Sequence, residues 1–422
     1  MTKSLEDFTH FIDGSPTVFH ASKEVVLRLK KASFTPLAEG DKWSLSPSKG
    51  YYVTRDDSLV AAFRTPKKTV KKASILSSHI DSPCLKIRPH PTTGFCEIGQ
   101  ILTEVYGSPL LHTWLDRDLV IGGKLSTLDH KGKREDHLVL LKHSPVIIPG
   151  IAYHLDRSIG EKGLLVQKQE QLKPLFSLHF KHDSFEKHLQ KYSGFDTLLS
   201  FDLFLASAEK PTFLGFEQDF LAAPRLDNLS SAYAALFALT ESKASQESLQ
   251  MAFFWNHEEI GSETYTGANS TFASELLERI CLSQDLGKED YFRLKSRSIN
   301  LSIDVAHGFH PNFPDKYDLP NAPMLGKGPV LKFNAGQKYA TGSDLAASLI
   351  QIADKAKIPL QKYACRSDIP SGSTVGSMMA ANLGIQTLDL GIGCFAMHSL
   401  RETISPKDQI LLGKLLLSVL EI

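Results

Sequence analysis

The apolar run Met251 to Trp255 leads directly into Asn256, His257, Glu258 and Glu259. So apolar a run suits a strand covered on both faces, as in a sheet flanked by helices. Two adjacent glutamates at its end point in different directions, because successive side chains of extended backbone alternate. In open α/β sheets, ligands bind beyond the carboxyl ends of the strands. One glutamate there can ligate a metal while the other reaches a water as general base. An acidic solvated loop is the plainer reading, and the apolar lead-in weighs against it.

The same texture recurs along the chain. Apolar residues fall at helix spacing in Leu5 to Ile12 and in Val25 to Leu29. Tyr51 to Thr54, Leu59 to Phe63 and Ala73 to Ser78 read as strands. From Asp227 onward, helices (Leu229 to Thr240, Ser270 to Ser283, Leu345 to Lys355, Gln409 to Leu420) alternate with strands (Leu249 to Trp255, Ile299 to Val305, Thr387 to Leu390). That alternation predicts an α/β fold, a mixed sheet flanked by helices. Residues 89–222 differ, with short apolar runs, many Lys and His, and one clear helix at Asp183 to Lys191. They read as an inserted, mostly β domain. A chain of 422 residues exceeds what one hydrophobic core usually serves. The expected organisation is a discontinuous catalytic domain, 1–88 with 223–422, interrupted by the insert at 89–222.

Charge and cysteine content narrow the function. Forty-seven basic residues balance 47 acidic ones, so nothing favours nucleic acid or an anionic membrane surface as a partner. No apolar run approaches the roughly 20 residues of a membrane span. Met1 to Gly14 carries acids among its apolar residues, unlike a signal peptide. The five cysteines are scattered without any Cys-x-x-Cys, which argues against a disulfide framework and a thiolate zinc knuckle and fits a reducing, cytoplasmic setting. Any metal must then be held by His, Asp and Glu.

Such residues recur at predicted strand ends. His79 and Asp81 are two apart and face the same way on extended backbone. Asp227 precedes an alanine-rich helix, where it serves either as an N-cap or as a carboxylate shared by two cations. Asp304 sits in an apolar strand, where an unpaired carboxylate is costly. His398 lies in Gly393 to Ser399, and a satisfied core histidine is its plainer reading. Together with Glu258 and Glu259 these residues supply five ligands and a base. Hard carboxylates with imidazole suit zinc first, with manganese and cobalt as alternatives. A pair of such ions about 3.5–4 Å apart would hold a hydroxide and polarise a carbonyl.

Seven stretches, in order, resemble the aspartyl aminopeptidase family over essentially the full chain. They are Ser78 to Leu85, Trp114 to Leu119, Arg225 to Leu229, Asn256 to Ser262, Asp304 to Asn312, Lys327 to Lys332, and Met397 to Glu402. The resemblance implies the zinc-peptidase type of α/β fold and two divalent metal ions per subunit. It implies that His79 and Asp304 complete one metal's shell, Glu259 and His398 the other's, and that Asp227 bridges them. Glu258 would be the general base and Asp81 would orient a ligating histidine. His154, in Pro149 to Leu155, would reach a neighbouring subunit's active site and stabilise the oxyanion. Lys332 would read an acidic side chain on the substrate's first residue, with His307 shaping that pocket. The family also implies a homo-oligomer, a dodecamer, with the insert carrying assembly. Ile80, Phe313 and Ser371 depart from the common pattern, and none is a proposed ligand.

Three functions follow. The first is an aminopeptidase that removes N-terminal Asp or Glu from peptides. The second is a related two-metal aminopeptidase or N-acyl amino acid hydrolase of other specificity. The third is an oligomeric scaffold or cargo protein. A scaffold that had abandoned catalysis would have lost a ligand or the base, and all six positions are filled here.

Overall fold

The computed structural model of the chain describes residues 2–421. Four parallel strands form the middle of a nine-stranded mixed sheet: Ser248–Trp255, Lys72–His79, Ile299–Ile303 and Gln386–Gly391. On one side Ser248–Trp255 pairs antiparallel with Leu59–Arg64, and on the other Gln386–Gly391 pairs antiparallel with Val330–Phe333. Every residue of Ser248–Trp255 is buried, as is all of Lys72–His79 except its first. Continuous burial explains why these segments lack a polar alternation: both faces are covered by helices.

Helices Val18–Lys31, Leu226–Glu241, Ser343–Lys355 and Pro406–Leu420 supply one apolar layer, closing over Leu76, Phe254, Ile303 and Leu388. The opposite layer is built from Phe272–Leu282, Lys288–Ser296 and Val375–Leu383 against Ile75, Phe253 and Trp255. The Phe253 and Trp255 rings stack at 5.0 Å on that face. This is the α/β architecture expected, a mixed sheet between two helical layers.

A second sheet is six-stranded and antiparallel, in the order Arg134–Leu140, Leu119–Leu128, Thr197–Ser207, Cys84–Phe95, Ile98–Tyr106, Leu175–Ser177. It has its own core of Leu85, Ile101, Leu125, Leu203 and Trp114. A third, small sheet joins Thr212–Leu214, Phe220–Ala223, Glu402–Ile404, Gly393–Phe395 and Ala306–His307. No helix among the described residues is long and apolar enough to cross a membrane.

Of the boundaries that differ from the sequence reading, one bears on the strand-end carboxylates. The strand expected to run to Val305 ends at Ile303, so Asp304 lies just beyond it. Its N–H still donates to the Leu390 carbonyl, at 2.9 Å. The backbone then crosses Gly391 so closely that a Cβ there would fall 1.8 Å from the Asp304 carbonyl oxygen. Only glycine permits that crossing, and it turns the chain out of the sheet.

Candidate metal centre

The strand register aligns the chemistry. Trp255 pairs with His79, and the Ile80 N–H donates to the Trp255 carbonyl at 2.9 Å. The two strands therefore end together, and Asn256 to Glu259 leave beside His79. His257 takes a left-handed turn, φ 61°, which starts a short 3-10 segment at Glu258–Ile260. Asp81 fixes that turn: its two oxygens accept the Glu258 and Glu259 N–H groups at 3.2 Å each. It also accepts the Tyr106 hydroxyl at 2.6 Å and stands 3.4 Å from His79 Nδ1.

Asp227 lies at the start of the helix Leu226–Glu241, with non-helical backbone angles that aim its side chain away from the helix. Its Oδ1 is 3.4 Å from His79 Nε2, and its Oδ2 is 3.4 Å from His398 Nε2. Around His79 Nε2 stand Asp304 Oδ1 at 3.8 Å and Glu258 Oε2 at 3.9 Å. His398 Nε2 is 3.5 Å from Glu259 Oε1. Donor atoms of His79, Asp227 and Asp304 lie within 4.8 Å of one another, and so do those of Asp227, Glu259 and His398. Glu258 and Glu259 form a further such group with His79.

The donors fit zinc. Two ligand atoms each about 2.0 Å from a tetrahedral ion are roughly 3.3 Å apart, close to the spacings at Asp227. Asp227 Oδ1 and Glu259 Oε1 are buried without a hydrogen-bond partner among the described residues. Orphaned carboxylate oxygens are expensive unless something positive meets them. Burial, opposed by His79 and reinforced by Asp304, pushes the Glu258 carboxyl up to about 8. Burial with Asp227 alongside raises Glu259 well above the carboxylate range. Burial alone would depress His79, but Glu258 and the three surrounding aspartates overcome it, and its pKa rises. The protein by itself holds too much negative charge here, and divalent cations would relieve it.

Further contacts set the orientations of these side chains. His398 Nδ1 lies 3.0 Å from the Ser108 carbonyl, and the Leu110 N–H donates to the His398 carbonyl at 2.9 Å. Gly107, at φ 71°, is packed so near Glu259 that a Cβ would meet that residue's Cβ at 3.2 Å. Tyr106 ends the strand Ile98–Tyr106, and Gly107 and Ser108 follow it. Nothing in the sequence marks any of them with a role, and Glu402 figures there only within the stretch Met397 to Glu402.

The three remaining candidates lie around this cluster. Lys332 is buried in Val330–Phe333, and its Nζ donates to the Val305 carbonyl at 2.9 Å, 3.9 Å from Asp304 Oδ2. Burial opposes its charge, but Asp304, Tyr339 and Asp389 outweigh that, so it stays protonated. His307 opens onto a cavity of about 220 Å³ lined also by His310, Tyr317, Phe395, Met397 and His398. His154 is exposed in the loop after Gly150 and forms no hydrogen bond or ion pair with the cluster.

A helix-flanked mixed sheet with buried imidazole and carboxylate donors at its strand ends defines a zinc-dependent peptidase. Residues 11–418 match the model of the Aminopeptidase I zinc metalloprotease (M18) family, and the chain belongs to that family. It is a metalloaminopeptidase. A probable M18 family aminopeptidase 2 of Pseudomonas savastanoi pv. phaseolicola is 36% identical over 419 residues, 96% of this chain and 95% of that one. Among solved structures, the cryo-EM structure of the Ape4 and Nbr1 complex superposes with a TM-score of 0.94 at 32% identity, covering 100% of this chain and 86% of that chain. The S. cerevisiae mApe1 dodecamer gives 0.85 at 27% identity, covering 98% and 95%.

Proposed function

We propose that this aminopeptidase works with two zinc ions per subunit and prefers peptides with N-terminal Asp or Glu. In this reading His79 and Asp304 hold one ion, Glu259 and His398 the other, and Asp227 bridges them. The observation that carries it is the split of Asp227, one oxygen 3.4 Å from each histidine. Bound zinc would polarise the scissile carbonyl and lower the pKa of the attacking water. Glu258 accepts the proton of that water and returns it to the leaving amine. Asp81 holds the His79 ring and the backbone of both glutamates.

Lys332 is the specificity element. A buried ammonium with donors to spare is satisfied by a carboxylate and left wanting by a neutral side chain, which favours acidic residues. The cavity beside His307 and His398 is where that first side chain would enter. His154 acts in a neighbouring subunit, as donor to the oxyanion. Its loop exposes Ile151, Tyr153 and Leu155, the last at 77%, as a surface awaiting a partner does. A homo-oligomer of dodecameric form, assembled through the insert 89–222 around the catalytic parts 1–88 and 223–422, accommodates this. Five unpaired cysteines suit a cytoplasmic setting.

The deciding measurement is metal content of the purified protein beside a panel of Asp-, Glu-, Leu- and Ala-anilides, with and without chelator. Two zinc per subunit, activity lost to the chelator and restored by zinc, and fastest cleavage of Asp or Glu are expected. Lys332→Ala should flatten the preference while keeping the zinc. Faster cleavage of Leu by the intact enzyme would remove the acidic assignment, and a single zinc would remove the paired site.

A further inference from the structure

Glu402 is 1% exposed and opens the strand Glu402–Ile404 of the small sheet. It forms no ion pair among the described residues. Instead its Oε2 accepts the Asp227 N–H at 2.8 Å and its Oε1 accepts the His398 N–H at 2.7 Å. One carboxylate thus holds the backbones of two residues whose side chains meet at 3.4 Å.

The sheet explains how a single residue reaches both. Glu402–Ile404 lies between Phe220–Ala223 and Gly393–Phe395, with Ala223 paired to Glu402 and Phe395 to Thr403. One neighbour runs on through Pro224 and Arg225 to Asp227. The other runs through Ala396 and Met397 to His398. Both exits pass through left-handed backbone: φ is 60° at Arg225, 53° at Ala396 and 68° at His398. Residues with a side chain keep that conformation only when their surroundings impose it. Two N–H groups fastened to one buried carboxylate impose it on both exits together.

We propose that Glu402 is a positioning residue: it sets the separation of Asp227 from His398 and thereby the zinc affinity of the Asp227, Glu259 and His398 group. The proposal rests on the ligand reading given above. A glutamine at this position offers one carbonyl oxygen, and its NH₂ opposes whichever N–H is left. The His79 and Asp304 side shares Asp227, but its other two members are held by Asp81 and by the Leu390 carbonyl rather than by Glu402, so it should keep its hold.

The test is zinc titration of the metal-free, full-length protein by calorimetry, with the Glu402→Gln and His398→Ala variants alongside. The parent should take two equivalents per subunit; fewer would sink the ligand reading itself, separately from this proposal. In Glu402→Gln one equivalent should bind as in the parent, and the other should weaken roughly 10- to 100-fold, the usual effect of losing a ligand's outer partner. The retained equivalent should match the one left in His398→Ala. Two unchanged equivalents, or two weakened alike, would overturn the proposal. Hydrogen exchange on the metal-free parent adds a readout that needs no variant. The Asp227 and His398 amides should be protected, and exchange as fast as in surface loops would also overturn it.

Discussion

Asp227 illustrates how a residue's surroundings choose its chemistry. Its position before a helix is that of an ordinary cap, yet its oxygens turn toward two histidines and its N–H toward Glu402. A different residue shows the cost of burial without a partner charge. His20, on the helix Val18–Lys31, accepts or donates only to Thr17 Oγ1 at 2.8 Å. Burial, with Lys23, Arg225 and Lys142 nearby, lowers its pKa to about 3. Between pH 6.5 and about 3 the unfolded chain therefore binds a proton that the folded chain refuses, so stability falls as pH falls through that window. At pH 5 the single group should cost about 2 kcal/mol relative to neutral pH. Melting temperatures of His20→Asn and parent, compared at pH 7 and pH 5, check this: the variant should lose less on acidification. An identical loss would mean that His20 is not the responsible group.

Among the elements, the end of Ile98–Tyr106 has consequences beyond its own sheet. The Tyr106 phenol is held far above its ordinary pKa by burial and by Asp81, so it remains a donor to that carboxylate. Tyr106→Phe should leave the fold and KM nearly unchanged and lower kcat roughly tenfold, because Asp81 then orients His79 and the two glutamates less firmly. Steady-state kinetics and a melting curve on the same preparation suffice; full kcat would show that the hydroxyl is a bystander. Such contacts mark what the sequence could and could not reveal. The central strands were readable because full burial leaves an unbroken apolar run, as in Met251 to Trp255. His79, Glu259 and Asp304 stood out because each follows or ends a readable strand, and Asp227 because it precedes a readable helix; His398 had only the resemblance to mark it, and the structure brings all five together. Tyr106, Ser108 and Glu402 carry no such mark. Tyr106 and Ser108 have their partners 25 and 290 residues away, and one of the two partners of Glu402 lies 175 residues away, so nothing local distinguishes them from any tyrosine, serine or glutamate. The helix Val375–Leu383 escaped for another reason: its Gly, Ser, Met and Ala residues give little contrast between its faces.

At the scale of the whole molecule, the exposed His154 forms no hydrogen bond or ion pair with the donor cluster among the described residues. If it serves a neighbour, two damaged subunits can complement each other. His154→Ala and Glu258→Gln proteins, each expected to be nearly inactive alone, should regain activity when subunits are exchanged, because some sites then combine an intact base with an intact neighbouring loop. Absence of recovery after verified exchange would assign His154 no role between subunits.

The contact between the Ser108 carbonyl and His398 joins residues 290 positions apart in the polypeptide. A ribosome releasing this chain has therefore made His79, Asp227, Glu259 and Asp304 long before the imidazole that completes the second donor group exists. On the ligand reading proposed above, a truncation that removes His398 would leave Asp227 and Glu259 without the imidazole that faces them, and the product would capture less zinc however well the earlier strands had folded.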